Sequence, residues 1–399
     1  MDDCIKKVST ENLYKHVLKL EGPRHPIENL TNLNAAADYI ASEFNKLGLN
    51  TKQHEFNIRG FEDSFRNIEA SMGDGSQPEL LILSHYDTVE DCPGADDNAS
   101  AVALMLEVAR VLANQGLDYN VRFISFSLEE GNPYIDLQCK KKARELGMTD
   151  EMDRYTTVKI HQFMKKYENA FSAFRGKGKA YLDAHRAAIN ELDPQPPPIV
   201  GEYFKYWKEY YAELDEQGKN MYCVGSDKWL RESRKSKKDI KGILCFDTIA
   251  YTDKELDSQK FPDSMSPRIL RSIFDTYKVD FDEMIADFLT IIASKGSDRL
   301  MNIFCQSASE TTIDLPYACA HFKIGYQQLA ATFPDLLRSD HGTFWRKDIP
   351  GLFLSDSANF RFPYYHTPAD TIERLDFNFL TKITKATLAT VVQWDLKEI

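Results

Sequence analysis

The sequence predicts an α/β fold: a mixed, mainly parallel central sheet flanked by helices, interrupted by a helical insertion. Three observations predict it. Short apolar runs at residues 80–83, 121–128 and 243–246 have the length and composition of buried strands. Segments of helical period alternate with them, the pattern of a sheet covered by helices. Residues 132–222 break the alternation, being charged, aromatic and poor in strand-like runs.

Taken in order, residues 32–47 read as an amphipathic helix in which Ala36, Ile40, Phe44 and Leu47 share one face and Gly48 supplies the stop. The run Leu80, Leu81, Ile82, Leu83 is a buried strand whose carboxyl end carries SHYDTV, with His85 and, facing the same way, Asp87. GADDNAS is a Gly/Asp-rich turn. It opens a helix with Leu104, Val108 and Leu112 at helical spacing and so sets Asp97 on a rigid corner. The strand at 121–128 ends in Glu129 and Glu130, and the strand at 243–246 ends in Asp247. Between them, residues 132–222 are expected to form a mostly helical inserted subdomain, broken by the Arg-Gly-Lys-Gly stretch at 175–178 and by Pro194, Pro196, Pro197 and Pro198. Strand signal returns at Leu352, Phe353 and Leu354. Residues 377–396 read as a long helix packing through Leu380, Ile383, Leu388 and Val391. The expected organisation is one discontinuous domain, residues 1–131 and 223–399, with 132–222 inserted in it.

Five potential metal ligands occur in the order His85, Asp97, Glu130, Asp247 and His366, with Glu129 directly beside the third. Open α/β sheets gather their chemistry beyond the carboxyl ends of the strands, and these segments deliver acids and an imidazole to one such edge. Nitrogen and oxygen donors suit zinc. Two metals about 3.5–4 Å apart can share a bridging carboxylate, so five ligands with one bridging serve a pair. A carboxylate outside the ligand set can then take a proton from water and pass it to a leaving amine, a task that Glu129 fits. Singly, each residue has a plainer reading. His85 with Asp87 can be a satisfied turn, Glu129 and Glu130 a solvated pair, Asp97 part of a helix cap, and Asp247 a strand-end acid holding a loop. Their conjunction at strand ends and a helix start is what points to metal.

SHYDTV, GADDNAS, SLEEG, CFDTIAYTDKELDSQKFP, RSDHGTFW and SDSANFRFPYYHTPADT together resemble the co-catalytic di-zinc aminopeptidases, whose relatives include glutamate carboxypeptidases, glutaminyl cyclases and the transferrin-receptor ectodomain. The resemblance covers both ends of the chain and implies a zinc aminopeptidase-like fold. It implies that His85 and Asp247 hold one zinc ion, Glu130 and His366 the other, and Asp97 bridges them. It further implies Glu129 as general acid/base, Asp87 orienting His85 through the far ring nitrogen, and Tyr365 donating to the tetrahedral oxyanion. Asp340 and His341 fall in a family motif near the site and are expected to support it. Arg361 either reaches the cleft to pair with a substrate carboxylate or pairs structurally. The chain departs from the family at Ala101, at Thr248, Ile249 and Ala250, and most between Gly131 and about Met221, where the family commonly has a short connection before the motif read here as Gly225 and Ser226.

The composition agrees with an enzyme. A chain of 399 residues, 43% hydrophobic, can bury a large core. A formal charge of −12 argues against nucleic acid and anionic membrane surfaces as partners, and the basic run 231–238 reads as a solvated face or loop. Seven cysteines without regular spacing suit reduced thiols. The amino terminus lacks the pattern of a signal peptide and no run approaches the length of a bilayer span, so a cytoplasmic location is expected. His16, His25, His54, His161, His185 and His321 lack an acid pattern and are expected at the surface or in the core.

These readings converge on an exopeptidase that removes amino-terminal residues from short peptides with two zinc ions, a metal-bridging water and Glu129 as general base. The alternatives are a related zinc hydrolase, such as a carboxypeptidase, deacylase or glutaminyl cyclase, and a non-catalytic binding protein of the same fold. The insertion lies between two ligand-bearing strands. Its aromatic residues Tyr203, Phe204, Tyr206, Trp207, Tyr210 and Tyr211 form a local core, a lid over substrate, or a contact in a homo-oligomer.

Overall fold

The computed structural model describes residues 2–73, 78–113, 115–117, 119–176, 181–192, 195–216, 222–233, 239–261 and 265–394. Its strands are β1 (Asn50–Asn57), β2 (Ser64–Met72), β3 (Glu79–His85), β4 (Asn120–Phe126), β5 (Ile240–Phe246), β6 (Phe274–Tyr277), β7 (Leu289–Ala293), β8 (Tyr317–His321) and β9 (Gly351–Ser355). They form one sheet in the order β1-β2-β4-β3-β5-β9-β7-β8-β6. The central strands β4, β3, β5 and β9 are mutually parallel, whereas β1, β2, β7 and β6 bring antiparallel pairings to the flanks. Because β3 leads to β4 on one side and the chain returns to β5 on the other, the carboxyl ends of β4, β3 and β5 border a crevice where connections diverge. Such switch points are the usual binding place in open α/β sheets.

The local signals explain the elements. Every residue of β3 is buried, as a central parallel strand covered on both faces requires. The first amphipathic helix runs Leu30–Lys46, burying Ala36, Ile40 and Phe44, and Gly48 ends it at φ +72. The helix Ala101–Leu112 is buried almost all round and packs against β3. The last helix, Phe377–Gln393, starts at Asp376, whose carboxylate accepts the Phe379 N–H at 2.9 Å. Its buried threonines Thr384, Thr387 and Thr390 donate to carbonyls four residues back, which lets polar side chains sit inside the core. It ends at Gln393, short of the expected residue 396, because Trp394 turns to an extended conformation as its cap; residues 395–396 lie outside the described residues.

Within 132–222 the described residues form the helices Pro133–Glu145, Val158–Gly176, Tyr181–Glu191 and Pro198–Glu216. Met148, Ile160, Phe163, Met164, Val200 and Phe204 make a small core of their own. Ile135, Cys139 and Trp207 make a second one. Phe204 and Trp207 of the aromatic stripe are therefore packed locally, while Tyr206 and Tyr210 stack on each other with centroids 5.6 Å apart. The side chain of Tyr211 and residues 177–178 and 194 lie outside the described residues. Of the basic run, Arg231 pairs with Asp227 at 2.7 Å, and residues 234–238 lie outside the described residues. No helix among the described residues is long and apolar enough to cross a membrane.

Candidate metal centre

The carboxyl ends of β3, β4 and β5, the turn at 94–100 and the loop after β9 bring His85, Asp97, Glu129, Glu130, Asp247 and His366 into one cluster. Asp97 stands between its two halves. One carboxylate oxygen, Oδ1, lies 3.3 Å from His85 Nε2, and the other, Oδ2, lies 3.1 Å from His366 Nε2. On the first side Asp247 Oδ1 is 3.6 Å from His85 Nε2; on the second Glu130 Oε2 is 3.1 Å from His366 Nε2. His85, Asp97 and Asp247 can thus converge on one ion, and Asp97, Glu130 and His366 on another. Glu129 stands beside the first group, its Oε2 3.9 Å from His85 Nε2.

Each member is fixed by backbone contacts. Asp87 accepts the N–H of Glu129 through Oδ1 and that of Glu130 through Oδ2, both at 3.1 Å, and its Oδ1 also lies 3.5 Å from His85 Nδ1. One buried carboxylate therefore aligns β3 with the pair after β4. Asn98 donates to the Phe246 carbonyl at 3.0 Å and accepts the Thr248 N–H at 3.3 Å, clamping the residues on both sides of Asp247. Asp370 accepts the N–H groups of Asp96 and Asp97 at 2.8 and 3.1 Å. Gly225 explains the Gly-Ser motif: a Cβ there would stand 2.0 Å from the Ser127 carbonyl oxygen and 2.6 Å from Asn67 Oδ1. Asn67 in turn donates to the Gly225 carbonyl and accepts the Ser127 N–H. The segment that returns from the insertion is laced to the end of β4.

The electrostatics are those of a site short of positive charge. Burial works against protonation of His85, yet Glu129, Asp247, Asp87 and Asp97 outweigh it and hold the imidazole well above its ordinary value. Burial likewise opposes a charged His366, and Glu130 and Asp97 still lift it to about 10. Glu130 is pushed up to about 7 by burial and by Asp97, and Glu129 is raised further by burial, Asp247 and Glu130. Buried carboxylates and imidazoles in these numbers are compensated by protons or by metal cations. Among the described residues neither nitrogen of His85, nor His366 Nε2, nor Glu130 Oε1 has a well-formed hydrogen bond, although ligand-type oxygens surround the imidazoles. A donor set of imidazole nitrogens and carboxylate oxygens aimed at common points fits zinc.

The other expected residues divide. Tyr365 stacks on the His366 ring at 3.8 Å, and its hydroxyl accepts from Arg338 Nη2 at 3.4 Å. Asp340 is buried and raised to about 7 by that burial, with Asp247 and Asp87 adding to the rise. His341 is buried with its Nε2 2.7 Å from the Leu336 carbonyl oxygen, stacked on Phe353 and edge-on to Trp345. Burial lowers it to about 4, and it packs behind the cluster with its Nδ1 buried and without a well-formed hydrogen bond among the described residues. Arg361 is also buried, and its Nε donates to Gln259 Oε1 at 2.8 Å and Nη1 to the Tyr251 carbonyl at 3.3 Å. Its partners here are structural, with Asp356, Asp287 and Asp96 opposing the effect of burial on the guanidinium.

Several supporting residues escaped the sequence reading. Arg24, 2% exposed, donates to the carbonyls of Tyr86, Leu20, Gly22, Pro93 and Gly94, tying the amino-terminal segment to the loops that carry His85 and Asp97. Asp370, Asn67 and Cys223 were missed as well. Asp370 lies four residues after His366 in HTPAD, a signal that was available; Arg24 and Asn67 carry no pattern in the sequence.

Comparison with known proteins agrees with this geometry. The chain is 22% identical to "Uncharacterized protein YfbL" of Escherichia coli over 388 residues, covering 95% of this chain and 86% of that one. It is 33% identical to aminopeptidase YwaD of Bacillus subtilis over 153 residues, 37% of this chain and 31% of that protein. Among solved structures it is similar to the LapA aminopeptidase of Legionella pneumophila (TM-score 0.54, 15% identity, 98% of this chain and 73% of that one). It is equally similar to a glutaminyl cyclase of Bacteroides thetaiotaomicron (TM-score 0.55, 13% identity, 98% and 99%), and at these identities both likenesses concern the fold. Residues 67–148 and 213–391 match Peptidase family M28, leaving 149–212 of the insertion outside the match, and the chain belongs to that family of zinc metallopeptidases.

Proposed function

We propose that the protein is a zinc-dependent aminopeptidase that removes amino-terminal residues from short peptides. The observation that carries the reading is the division of Asp97 between His85 and His366, which supports two cations sharing one carboxylate and speaks against the single-zinc reading of a glutaminyl cyclase. His85 and Asp247 would hold one ion, Glu130 and His366 the other. The chemistry zinc supplies when bound is Lewis acidity toward the scissile carbonyl and activation of water.

The remaining work falls to the chain. Glu129 is the proton carrier in this reading: it is buried and held by the Asp87 contact to its backbone N–H, and although it also converges with His85 and Glu130, the two ions are assigned to the groups that share Asp97. A carboxylate beside the metal positions can pass a proton from water to a leaving amine. In this reading Tyr365, which stacks on His366, donates to the developing oxyanion. Acidic groups around the cluster suit the free amine of a peptide. The helical insertion walls the approach to Glu130 and acts as a lid that favours short substrates. The seven free cysteines suit a reducing, cytoplasmic compartment.

The test is metal analysis of the purified protein together with hydrolysis of unblocked and amino-blocked peptides. Two equivalents of zinc and cleavage confined to unblocked peptides are expected. Cleavage of blocked peptides at the same rate removes the aminopeptidase reading, and a metal-free, inactive protein favours a binding role.

A further inference from the structure

A cavity of about 340 Å³ opens beside Glu130. That is at the lower end of the roughly 300–1,000 Å³ typical of small-molecule pockets. Ile135, Asp136 and Lys140 of the helix Pro133–Glu145 form one wall, Glu90 of the loop after β3 faces them, and Tyr203 of the helix Pro198–Glu216 closes the side. A Cβ on Gly131 would stand 3.8 Å from Asp136 Oδ2, so this carboxylate lies over the peptide that follows the metal-ligand position Glu130.

The charges in this wall do not cancel. Lys140 lines the pocket and acts on both Glu90 and Asp136, but its ammonium is ion-paired with Glu28, so three carboxylates share one cation. Burial pushes Asp136 up to about 6, Glu90 raises it further, and Lys140 only partly opposes this. Glu90 is exposed at the rim, where partial desolvation lifts its carboxyl above the ordinary range and Lys140 opposes the rise. An apolar guest would deepen that desolvation with no compensating partner, and an acidic guest would meet like charge. A cationic guest relieves both costs. An exopeptidase must also seat its terminal residue beside the metals, and this half-open cavity is lined by Glu130.

We infer that the cavity is the side-chain pocket for the amino-terminal residue, and that it takes a basic one, lysine or arginine, with Asp136 and Glu90 as its specificity-determining groups. The inference rests on the aminopeptidase reading above and deepens it. The insertion supplies Asp136 and Lys140 to one wall and Tyr203 to the side, and the amino-terminal segment and the loop after β3 line it as well.

The experiment compares arginine with citrulline, which has nearly the same shape and no charge. The zinc-loaded full chain is given arginine and citrulline p-nitroanilides, and separately argininamide and citrullinamide as ligands in thermal unfolding. A charge-assisted hydrogen bond corresponds to about 10- to 100-fold, so kcat/KM should favour arginine by that factor and argininamide should raise Tm more. In the double variant Glu90→Gln/Asp136→Asn, checked for zinc content and Tm, the arginine-to-citrulline ratio should fall toward one. Equal kcat/KM for the two anilides in the parent overturns the pocket assignment while leaving the aminopeptidase reading intact. A ratio unchanged in the double variant overturns the assignment to these two residues. If no unblocked substrate is cleaved, the aminopeptidase reading fails and the amides decide the pocket: arginine-selective stabilisation supports it and equal stabilisation overturns it.

Discussion

Cys223 Sγ lies 3.6 Å from Glu129 Oε1, and the Cys223 N–H donates to the Glu129 carbonyl at 2.9 Å. The two residues are 94 positions apart, separated by the whole insertion, and both are buried. Cys223 holds a left-handed φ of +56 to make this return, beside Leu128 at +58 on the facing segment. Non-glycine residues occupy that region at a cost and persist where the surroundings over-determine them. The contact leaves Glu129 Oε2 as the oxygen that faces His85. Cys223→Ala is expected to lower kcat roughly three- to tenfold at unchanged zinc content, about what one neutral hydrogen bond contributes. Cys223→Ser should restore most of the loss. Equal kcat in all three proteins would assign the thiol to packing alone.

Glu129→Gln keeps shape and the backbone bond to Asp87 while removing the titrating group. General acid-base catalysis contributes about 10²–10⁴-fold, so turnover should fall by that factor with zinc retained. Hydrolysis at the parent rate would show that another group moves the proton.

Asp97→Ala removes the carboxylate that faces both imidazoles, and metal analysis should find both zinc equivalents lost or weakened. Asp370→Ala acts one step away by freeing the N–H groups of Asp96 and Asp97. Outer partners of metal ligands typically contribute about 10–100-fold in affinity, and a chelator competition titration should show a weakening of that order. Full occupancy in Asp97→Ala would remove the bridging role.

Shortening residues 132–222 to a brief connection should leave zinc binding in place, because the ligand positions lie outside it, and should change the preferred peptide length. Hydrolysis of an unblocked peptide series by folded, metal-loaded parent and shortened proteins measures this. An identical length profile would assign the insertion to packing or assembly.

His185 gives the insertion an acid limit. It is buried between Phe204 and Trp207 with its Nδ1 2.7 Å from the Tyr167 hydroxyl, and burial lowers it to about 4. The unfolded chain, titrating near 6.5, binds the proton more readily than the folded one. Stability of the helices is therefore fully present above about pH 6.5, falls as pH drops toward 4, and levels off below it. Hydrogen-exchange protection across residues 158–216, referred to the intrinsic rate at each pH, should fall as pH drops through that window, with a smaller pH dependence in His185→Phe.

Periodicity and turn chemistry determined much of this protein directly. The strand at 80–83, the helix after Asp97, the first amphipathic helix and the last helix are written in local apolar spacing and in stop or cap residues such as Gly48 and Asp376. The order of His85, Asp97, Glu130, Asp247 and His366 was likewise legible, because the first four follow a strand or open a helix and His366 lies in the HTPAD segment of the last loop. What local pattern cannot carry is the meeting of distant segments. Arg24 reaching the carbonyls of Tyr86 and Pro93, Asp370 accepting the N–H groups of Asp96 and Asp97, and Cys223 against Glu129 all depend on side-chain to backbone bonds across long loops, which leave no spacing signal. The antiparallel flanks of the sheet were not read in detail for the same reason. Arg361 and His341 show the converse: motif neighbours of the ligands that the fold turned into buried packing, since only tertiary burial decides whether a charged or titratable side chain faces a cleft or a core.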